Sequence, residues 1–261
     1  MEIFESHAHY DDEKFDNNRD ELIKNIYKNG ITKIISAGYS LEGSKRSIEL
    51  SKKYPYIYST VGISPNDINE NYEKELKEIE KLLENKNEKI IAVGEIGLDY
   101  HYDTDKEIQK KVFISQINLA NKYNLPIVIH TREAVMDTIQ ILKENIVSKK
   151  GVFHCCPFNR ELVKEVLKLG FYISFSGTTT FKNAKNAEEI VTMVPPDRFL
   201  VETDSPYLAP EPVRGTINDS RNLKYIIEKI ATFTKKSPET VAKEAFENTC
   251  RLYNIPNNSW F

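Results

Sequence analysis

Histidine is a scarce residue in this chain, and the placement of its histidines suggests a metal site. Four of the five stand where an apolar, strand-like segment ends: His7, His9, His130 and His154. His7 and His9 are two residues apart, and side chains at that spacing on an extended backbone point to the same side. Two neighbouring imidazoles suit one metal ion, although each histidine alone could be an ordinary buried polar residue. The fifth, His101, is predicted to be a loop residue and not a ligand.

Two carboxylates stand at comparable positions. Glu95 ends a predicted strand, and a lone carboxylate would be costly to bury there unless it bridged two cations or formed a salt bridge. Asp204 ends another strand, where it could bind a metal and accept a proton from the attacking water, or cap the following turn. Glu202, two residues earlier, faces the same side and is expected to orient a ligand histidine. Asp99 is either a supporting residue of the same kind or an exposed side chain.

The six candidate ligands point to a pair of metal ions rather than one. A catalytic zinc with an open position needs three protein ligands, whereas two ions sharing Glu95 would use all six. Paired divalent ions about 3.5–4 Å apart serve in-line displacement at phosphorus, where they activate water and stabilise charge. Arg132 and Arg214 are candidate phosphate contacts, unless they are ordinary surface charges. Four imidazoles favour Zn²⁺, Mn²⁺, Ni²⁺ or Fe²⁺ as bound ions, with Mg²⁺ or Mn²⁺ supporting activity.

The elements that must position these residues alternate regularly along the chain. A strand-like apolar segment is followed by an amphipathic helix eight times, which predicts a parallel sheet. Eight such units close a (β/α)8 TIM barrel, in which active sites lie at the C-terminal ends of the strands. We predict one domain over residues 1–261. A doubly wound open sheet is the alternative, but the glycine-rich phosphate loop expected of it is absent from the sequence. The predicted strands cover 3–8, 31–37, 57–63, 89–96, 126–130, 151–155, 171–175 and 198–203, and the predicted helices 19–29, 41–53, 73–83, 106–123, 133–144, 160–169, 187–193, 222–234 and 238–250.

Composition excludes several classes of protein. Hydrophobic residues make up 40% and charged residues 29% of the chain, and no apolar run approaches the roughly 18–20 residues that span a bilayer. The first residues show no secretory pattern, and three cysteines do not make a disulfide framework, so we expect a cytoplasmic protein with Cys155 and Cys156 as buried thiols. The net charge of −3 is unlike that of a protein that grips long nucleic acid. A DNA substrate should therefore meet few phosphate contacts, and no membrane or obligate protein partner is expected.

With these residues the chain resembles the TatD family of metal-dependent deoxyribonucleases over nearly its whole length. The resemblance rests on residues 6–9 (SHAH), 94–100 (GEIGLDY), 130–132 (HTR), 153–155 (FHC), 202–210 (ETDSPYLAP), 214–215 (RG) with Asn218, and Asn248 before 251–252 (RL). It implies a barrel hydrolase that trims DNA from a 3′ end with magnesium and binds two divalent ions. One ion would be held by His7, His9, Glu95 and Asp204, and the other by Glu95, His130 and His154.

The sequence departs from the family at three places. Family members often have a histidine on either side of the proline after the third strand, where this chain has Ser64 and Asn66. Residues 156–158 (CPF) replace a Phe-Ser-Gly-like turn, and Glu5 stands where an aspartate is common. All six ligand positions are kept, so we expect the metal chemistry to be retained, while the substrate preference is open.

Three functions compete at this point. The first is a nuclease or another phosphoesterase. The second is hydrolysis of a lactone, amide or aminoacyl ester with the same metals, although related barrels of that kind often carry a carboxylated lysine where this chain has Glu95. The third is a metal-binding or partner-binding protein without activity, which the complete ligand set beside Arg132 disfavours. An assay of a phosphodiester beside an N-acyl amino acid would separate the first two.

Overall fold

The computed structural model describes residues 1–85 and 89–257. Eight parallel strands hydrogen-bond in chain order in these ranges, so that each strand pairs with its neighbours in the sequence. This arrangement confirms the predicted (β/α)8 barrel. The strands are β1 (Ile3–Ala8), β2 (Ile31–Ser36), β3 (Ile57–Val61), β4 (Ile90–Asp99), β5 (Ile127–Arg132), β6 (Gly151–Phe153), β7 (Tyr172–Phe175) and β8 (Phe199–Val201).

Helices follow the strands and cover the outside of the barrel. They are α1 (Arg19–Lys28), α2 (Leu41–Lys53), α3 (Tyr72–Glu84), α4 (Lys106–Lys122), α5 (Val135–Glu144), α6 (Arg160–Lys168), α7 (Ala187–Met193), α8 (Leu223–Thr234) and α9 (Pro238–Tyr253). Side-chain caps define several starts: the Asp105 carboxylate accepts the N–H groups of Glu107 and Ile108 before α4. No helix in the described ranges is both long and apolar enough to cross a membrane.

The barrel interior is filled at one end by a layer of apolar side chains. This layer takes a residue from each strand and is completed by residues at the end of α9, which closes that end of the barrel. Since residues from all eight strands can meet only inside the barrel, the layer must lie there. Its members include Phe4, Ile35, Tyr58, Ile91, Val128, Val152, Tyr172 and Leu200 from the strands, with Phe246, Cys250 and Tyr253 from α9.

Two strands are irregular where they approach the opposite end, the C-terminal mouth. The register of β1 shifts between Glu5 and Ala8, and that of β4 shifts between Val93 and Ile96. Gly97 has φ +144°, and a Cβ there would lie 2.0 Å from the carbonyl oxygen of His130. Such irregularities redirect side chains next to active sites, and here they occur beside the predicted ligands.

Several predicted strand ends were wrong: β5 continues past His130 to Arg132, β6 stops at Phe153, and two further errors concern carboxylates. Glu95 does not end its strand, because β4 continues to Asp99 and pairs Asp99 with Arg132 of β5. Asp204 does not end β8, which stops at Val201; instead its N–H donates to the carbonyl of His7 at 3.0 Å. This hydrogen bond links the segment after β8 to the end of β1, so the last strand returns to the first and the barrel is nearly closed.

Candidate metal centre

Four side chains from three distant segments meet at the mouth of the barrel. His7 and His9 come from the end of β1, Glu95 from β4 and Asp204 from the segment after β8. His7 Nε2 lies 3.3 Å from Glu95 Oε2 and 3.5 Å from Asp204 Oδ1. His9 Nε2 lies 3.6 Å and 3.2 Å from the same two oxygens. Four potential ligand atoms therefore surround one point.

A second group forms around the other oxygen of Glu95. Its Oε1 lies 3.1 Å from His130 Nδ1 and 3.4 Å from His154 Nε2, and these two nitrogens are 3.2 Å apart. His130 belongs to β5, and His154 directly follows β6. The Glu95 carboxylate thus stands between the two groups with one oxygen facing each.

The spacing of these atoms fits metal ligands. Two atoms that bind one ion at about 2.1 Å, with an angle of roughly 90–109° between them, lie about 3.0–3.4 Å apart. Both ring nitrogens of His7 and Oδ1 of Asp204 are buried without a hydrogen-bond partner among the described residues, a state that is costly unless a cation is bound. Imidazole and carboxylate donors together suit transition-metal dications. The residues present therefore fit a pair of divalent ions.

Charges within the cluster shift its pKa values strongly in the protein without metal. Burial opposes ionisation of Asp204, but the attraction of the His9 imidazole, 3.2 Å from Oδ1, outweighs burial and lowers the pKa of Asp204 to about 2. The same contact raises the pKa of His9 to about 9 against the effect of burial. In the second group, His154 and Glu95 attract each other, and this attraction outweighs burial. It raises the pKa of His154 well above its ordinary value and holds the pKa of Glu95 well below its ordinary value. The carboxylates of both groups therefore attract positive charge, which bound cations would also supply.

Asp99 supports a ligand instead of being exposed. Its carboxylate is buried, and Oδ2 lies 2.9 Å from His130 Nε2, the ring nitrogen opposite the one that faces Glu95. Asn66 donates its amide to the same oxygen at 3.0 Å. A carboxylate that accepts the Nε2 proton leaves Nδ1 as the metal ligand and fixes the ring orientation. Asn66, at one of the positions where the family often has histidine, therefore belongs to this network.

Glu202 has a similar relation to His154. Its side chain is fully buried, and Oε1 accepts the N–H of Cys155 at 2.7 Å and lies 3.4 Å from His154 Nδ1. His7, His154 and Glu202 are close enough to share an ion themselves. Glu202, however, does not line the cavity at the mouth, so an ion held in that way would offer no open position to a substrate. The arrangement favours Glu202 as the residue that orients His154.

Glu5 connects two of the segments that carry ligands. Its fully buried carboxylate accepts the N–H of His7 at 3.2 Å and that of Thr203 at 2.9 Å through Oε1. Oε2 accepts the Thr203 hydroxyl at 2.6 Å. Burial raises the pKa of Glu5 to about 8 despite these bonds. Glu5 therefore ties β1 to the segment that carries Asp204.

The two ligand groups lie at the base of a cavity of about 830 Å³. Arg132 is the basic residue among the described residues that line it, and its guanidinium lies 5.7 Å from the ring centre of Tyr102. Tyr102 and Tyr207 also line the cavity, with 53% and 45% of their surface exposed. Ser64 is part of the wall too, where its hydroxyl donates to Asp67 at 2.6 Å. The cavity thus offers one cation and two accessible aromatic rings beside the metal ligands.

The remaining residues named from the sequence lie elsewhere. Arg214 does not line the cavity; its guanidinium stacks 3.8 Å from the ring centre of Phe181. His101 is exposed, and its Nδ1 lies 2.8 Å from Glu133. Cys156 is buried and Cys155 is partly so, and burial raises the pKa of the Cys155 thiol to about 12. None of these three segments supplies an atom to the two ligand groups.

Sequence reasoning missed several residues of the cavity. Tyr39, Tyr102 and Tyr207 have no spacing that sets them apart from other tyrosines, and Asn66 was noted only as a replacement for histidine. Tyr207 was the one that could have been found, because it lies three residues beyond Asp204 in the same segment.

Comparison with known proteins gives a consistent result. The family described as TatD related DNase matches residues 4–254. The uncharacterized metal-dependent hydrolase YabD of Bacillus subtilis is 40% identical over 255 residues, which cover 97% of this chain and 99% of YabD. The uncharacterized metal-dependent hydrolase YcfH of Escherichia coli K12 is 34% identical over 260 residues, which cover 98% of this chain and 97% of YcfH. The crystal structure of YJJV, a TatD homologue from Escherichia coli K12, superposes with a TM-score of 0.92 at 25% identity and covers 97% of this chain and 98% of YJJV.

Proposed function

Because this chain belongs to the TatD-related DNase family of metal-dependent hydrolases, we propose that it is a two-metal phosphodiesterase that removes nucleotides from the 3′ end of DNA. The observation that carries the proposal is the position of Glu95. One of its oxygens faces His7 and His9, and the other faces His130 and His154. A bridging carboxylate between two sets of imidazoles is the arrangement expected of paired ions that act on a phosphodiester.

We assign the metals to the two groups described above. His7, His9, Glu95 and Asp204 would hold one ion, and Glu95 would share the other with His130 and His154. Bound divalent ions would lower the pKa of a coordinated water and stabilise negative charge on the phosphoryl oxygens.

The side chains around the ions have separate tasks. Asp204, which is ionised at neutral pH because its pKa is about 2, would orient the attacking water and receive its proton. Arg132 would hold a phosphate oxygen, since a guanidinium can donate two parallel hydrogen bonds to a phosphate. Asp99 and Glu202 would keep His130 and His154 in the orientations that the ions require.

The aromatic rings of the cavity favour a nucleic acid over a small phosphate ester. Tyr102 and Tyr207 are large exposed aromatic side chains at the mouth of the metal cavity. Unstacked bases pack on such rings with about 1–3 kcal/mol each and with little preference among bases. Arg132 is the one arginine or lysine among the described residues that line the cavity, which agrees with the net charge of −3 and with few phosphate contacts. The proposed substrate is therefore a DNA end whose last bases are unpaired.

The decisive experiment uses protein loaded with Mg²⁺, Mn²⁺ or Zn²⁺ and a single-stranded oligonucleotide labelled at each end in turn. We expect stepwise loss of nucleotides from the 3′ end and loss of activity after exhaustive chelation. An N-acyl amino acid and a lactone serve as alternative substrates. Turnover of these compounds alone, or undiminished hydrolysis of DNA without metal, would refute the proposal.

Two arginines provide a matched test of the phosphate contact. Arg132→Gln should lower kcat/KM by about 10–100-fold, the range expected for losing a charged hydrogen bond. Arg214→Gln removes the same charge from a guanidinium that stacks on Phe181 outside the cavity, and it should change kcat/KM by less than about two-fold. The reverse order of effects would show that the phosphate lies near Arg214.

A further inference from the structure

A second large cavity opens at the end of the barrel opposite the metal centre. Its volume is about 1090 Å³, compared with about 830 Å³ at the metal centre. The wall includes Ile90 and Ile91 at the start of β4, Pro126 just before β5, and residues at and beyond the end of α9. Strands of this length place the two openings roughly 20 Å apart. We call this second cavity the floor groove.

Basic side chains dominate the floor groove. Among the described residues that line it there is no aspartate or glutamate, although the whole chain has 39 acidic and 36 basic residues. A concave surface lined by charges of one sign raises the local concentration of oppositely charged ligands. The groove should therefore attract anions despite the negative net charge. Its basic residues are Lys89, Lys149, Lys150, Arg198 and Arg251.

Four of these cations retain the capacity to bind an anion. No carboxylate in residues 1–85 and 89–257 forms an ion pair with Lys149 or Lys150. Arg198 uses Nη1 for Asp197 and lies 5.3 Å from the ring centre of Tyr172, while its Nε and Nη2 form no hydrogen bond with the described residues. Arg251 donates from Nη1 to the neutral side chain of Asn248 at 2.9 Å. Lys89 is already engaged with the backbone carbonyls of Pro55 and Ile57, so we do not count it.

Much of the remaining wall of the groove is apolar. Leu125, Pro126, Leu252, Ile255 and Pro256 contribute to its wall together with Ile90 and Ile91. An anion without an apolar part, such as inorganic phosphate, would leave this surface uncovered. The volume is slightly above the range of about 300–1,000 Å³ that is usual for small-molecule sites. The favoured ligand therefore has a phosphate for the cations and a flat or apolar part for the wall.

We propose that the floor groove binds a nucleoside phosphate, with the phosphate held by Lys149, Lys150, Arg198 and Arg251. The site is separate from the metal centre, and it does not depend on which bond the enzyme hydrolyses. A nucleoside phosphate could reach the groove as a free nucleotide or as one unit of a strand, and both have the same recognisable chemistry.

The test is isothermal titration calorimetry of the metal-loaded protein with deoxyadenosine 5′-monophosphate. The parallel ligands are deoxyadenosine, inorganic phosphate and a short phosphorothioate oligonucleotide that resists hydrolysis. The groove variant carries Lys150→Gln, Arg198→Gln and Arg251→Gln. The control variant carries Lys52→Gln, Lys77→Gln and Lys185→Gln, which removes the same charge from exposed positions outside the groove. Arg132→Gln reports binding of the nucleotide at the metal centre.

We expect the groove variant to bind the nucleotide at least about ten-fold more weakly than the wild-type protein does. The control variant and Arg132→Gln should bind the nucleotide in the groove with the wild-type affinity. Deoxyadenosine and inorganic phosphate should each bind more weakly than the nucleotide. Groove-dependent binding of the oligonucleotide alone would identify a strand as the source, and similar binding of the mononucleotide would identify a free nucleotide. Unchanged binding of the nucleotide and the oligonucleotide in the groove variant, or no binding of either ligand to the wild-type protein, would overturn the proposal.

A second variant guards against a folding defect. Lys149→Gln with Lys150→Gln changes two side chains that form no ion pair among the described residues, and it should weaken nucleotide binding several-fold with the melting temperature unchanged. If this variant and the groove variant are both folded and both bind like the wild type, the groove is not a nucleotide site. Hydrolysis of DNA by the same variants is measured separately, so that failure of the groove and failure of the nuclease proposal are distinguished.

Discussion

Replacing Glu5 by glutamine should remove a pH-dependent destabilisation of the folded protein. Burial raises the pKa of Glu5 to about 8, from about 4.5 in an unfolded chain. Glutamine has nearly the same shape and remains uncharged at every pH. Its side-chain oxygen can still accept the N–H groups of His7 and Thr203, which lie 3.2 Å and 2.9 Å from Oε1. The amide then faces the Thr203 hydroxyl, which can accept where it formerly donated.

The sign and size of the effect follow from the two pKa values. Between pH 4.5 and 8 the folded state keeps the Glu5 proton and the unfolded state loses it, so the free energy of unfolding falls as the pH rises. The contribution of Glu5 is fully present below about pH 4.5 and is lost as the pH approaches and passes about 8. For a folded pKa of about 8, the loss between pH 5 and 7.5 is about 3 kcal/mol. This is a large part of the 5–15 kcal/mol typical of a whole domain.

The assay is urea unfolding of metal-free protein, with chelator present, at pH 5, 6, 7 and 7.5. The quantity of interest is the free energy of unfolding of Glu5→Gln minus that of the wild type, because other titrating groups contribute equally to both. We expect this difference to grow by about 3 kcal/mol in favour of the variant from pH 5 to 7.5. Glu49→Gln, at an exposed position, is the control and should show no such trend. A difference that stays constant within about 0.5 kcal/mol would refute the reasoning.

Four further predictions concern the metals. Glu95→Ala should abolish binding of both ions, as measured by elemental analysis, and one full equivalent of metal retained would contradict the shared carboxylate. Asp204→Asn should keep bound metal but lower kcat by about 10²–10⁴-fold. Wild-type turnover in Asp204→Asn would refute the role of Asp204 as proton acceptor. Asp99→Asn should lower metal affinity about 10–100-fold in competition with a chelator, because the orientation of His130 is no longer fixed; an unchanged affinity would contradict this. Because carboxylates raise the pKa of His9 to about 9 and of two other ligand histidines above their ordinary value, metal binding at pH 7 should release protons and weaken as the pH falls. Calorimetric heats that do not depend on the ionisation enthalpy of the buffer would rule this out.

The sequence by itself was sufficient for the barrel and for the six candidate ligands that meet at its mouth. Alternating apolar strands and amphipathic helices are local patterns, and the crossover rule converts eight of them into one parallel sheet. Once the strands are parallel, residues near their C-terminal ends must come to one face. His7, His130 and His154 could therefore be placed together without coordinates, although they are far apart in the chain.

The tertiary structure decided how these residues are divided and supported. The register shifts in β1 and β4 determine that one oxygen of Glu95 faces His9 and the other faces His130. The sequence left open whether Asp99 supports a ligand or is exposed. Because β4 extends to Asp99, its carboxylate contacts His130. Contacts between residues distant in the chain also decided that Arg132 lines the cavity, whereas Arg214 stacks on Phe181 outside it. Periodicity gives the face on which a side chain lies. Register shifts of one residue and contacts across the barrel decide which atoms meet, and these arise only when all eight strands are packed.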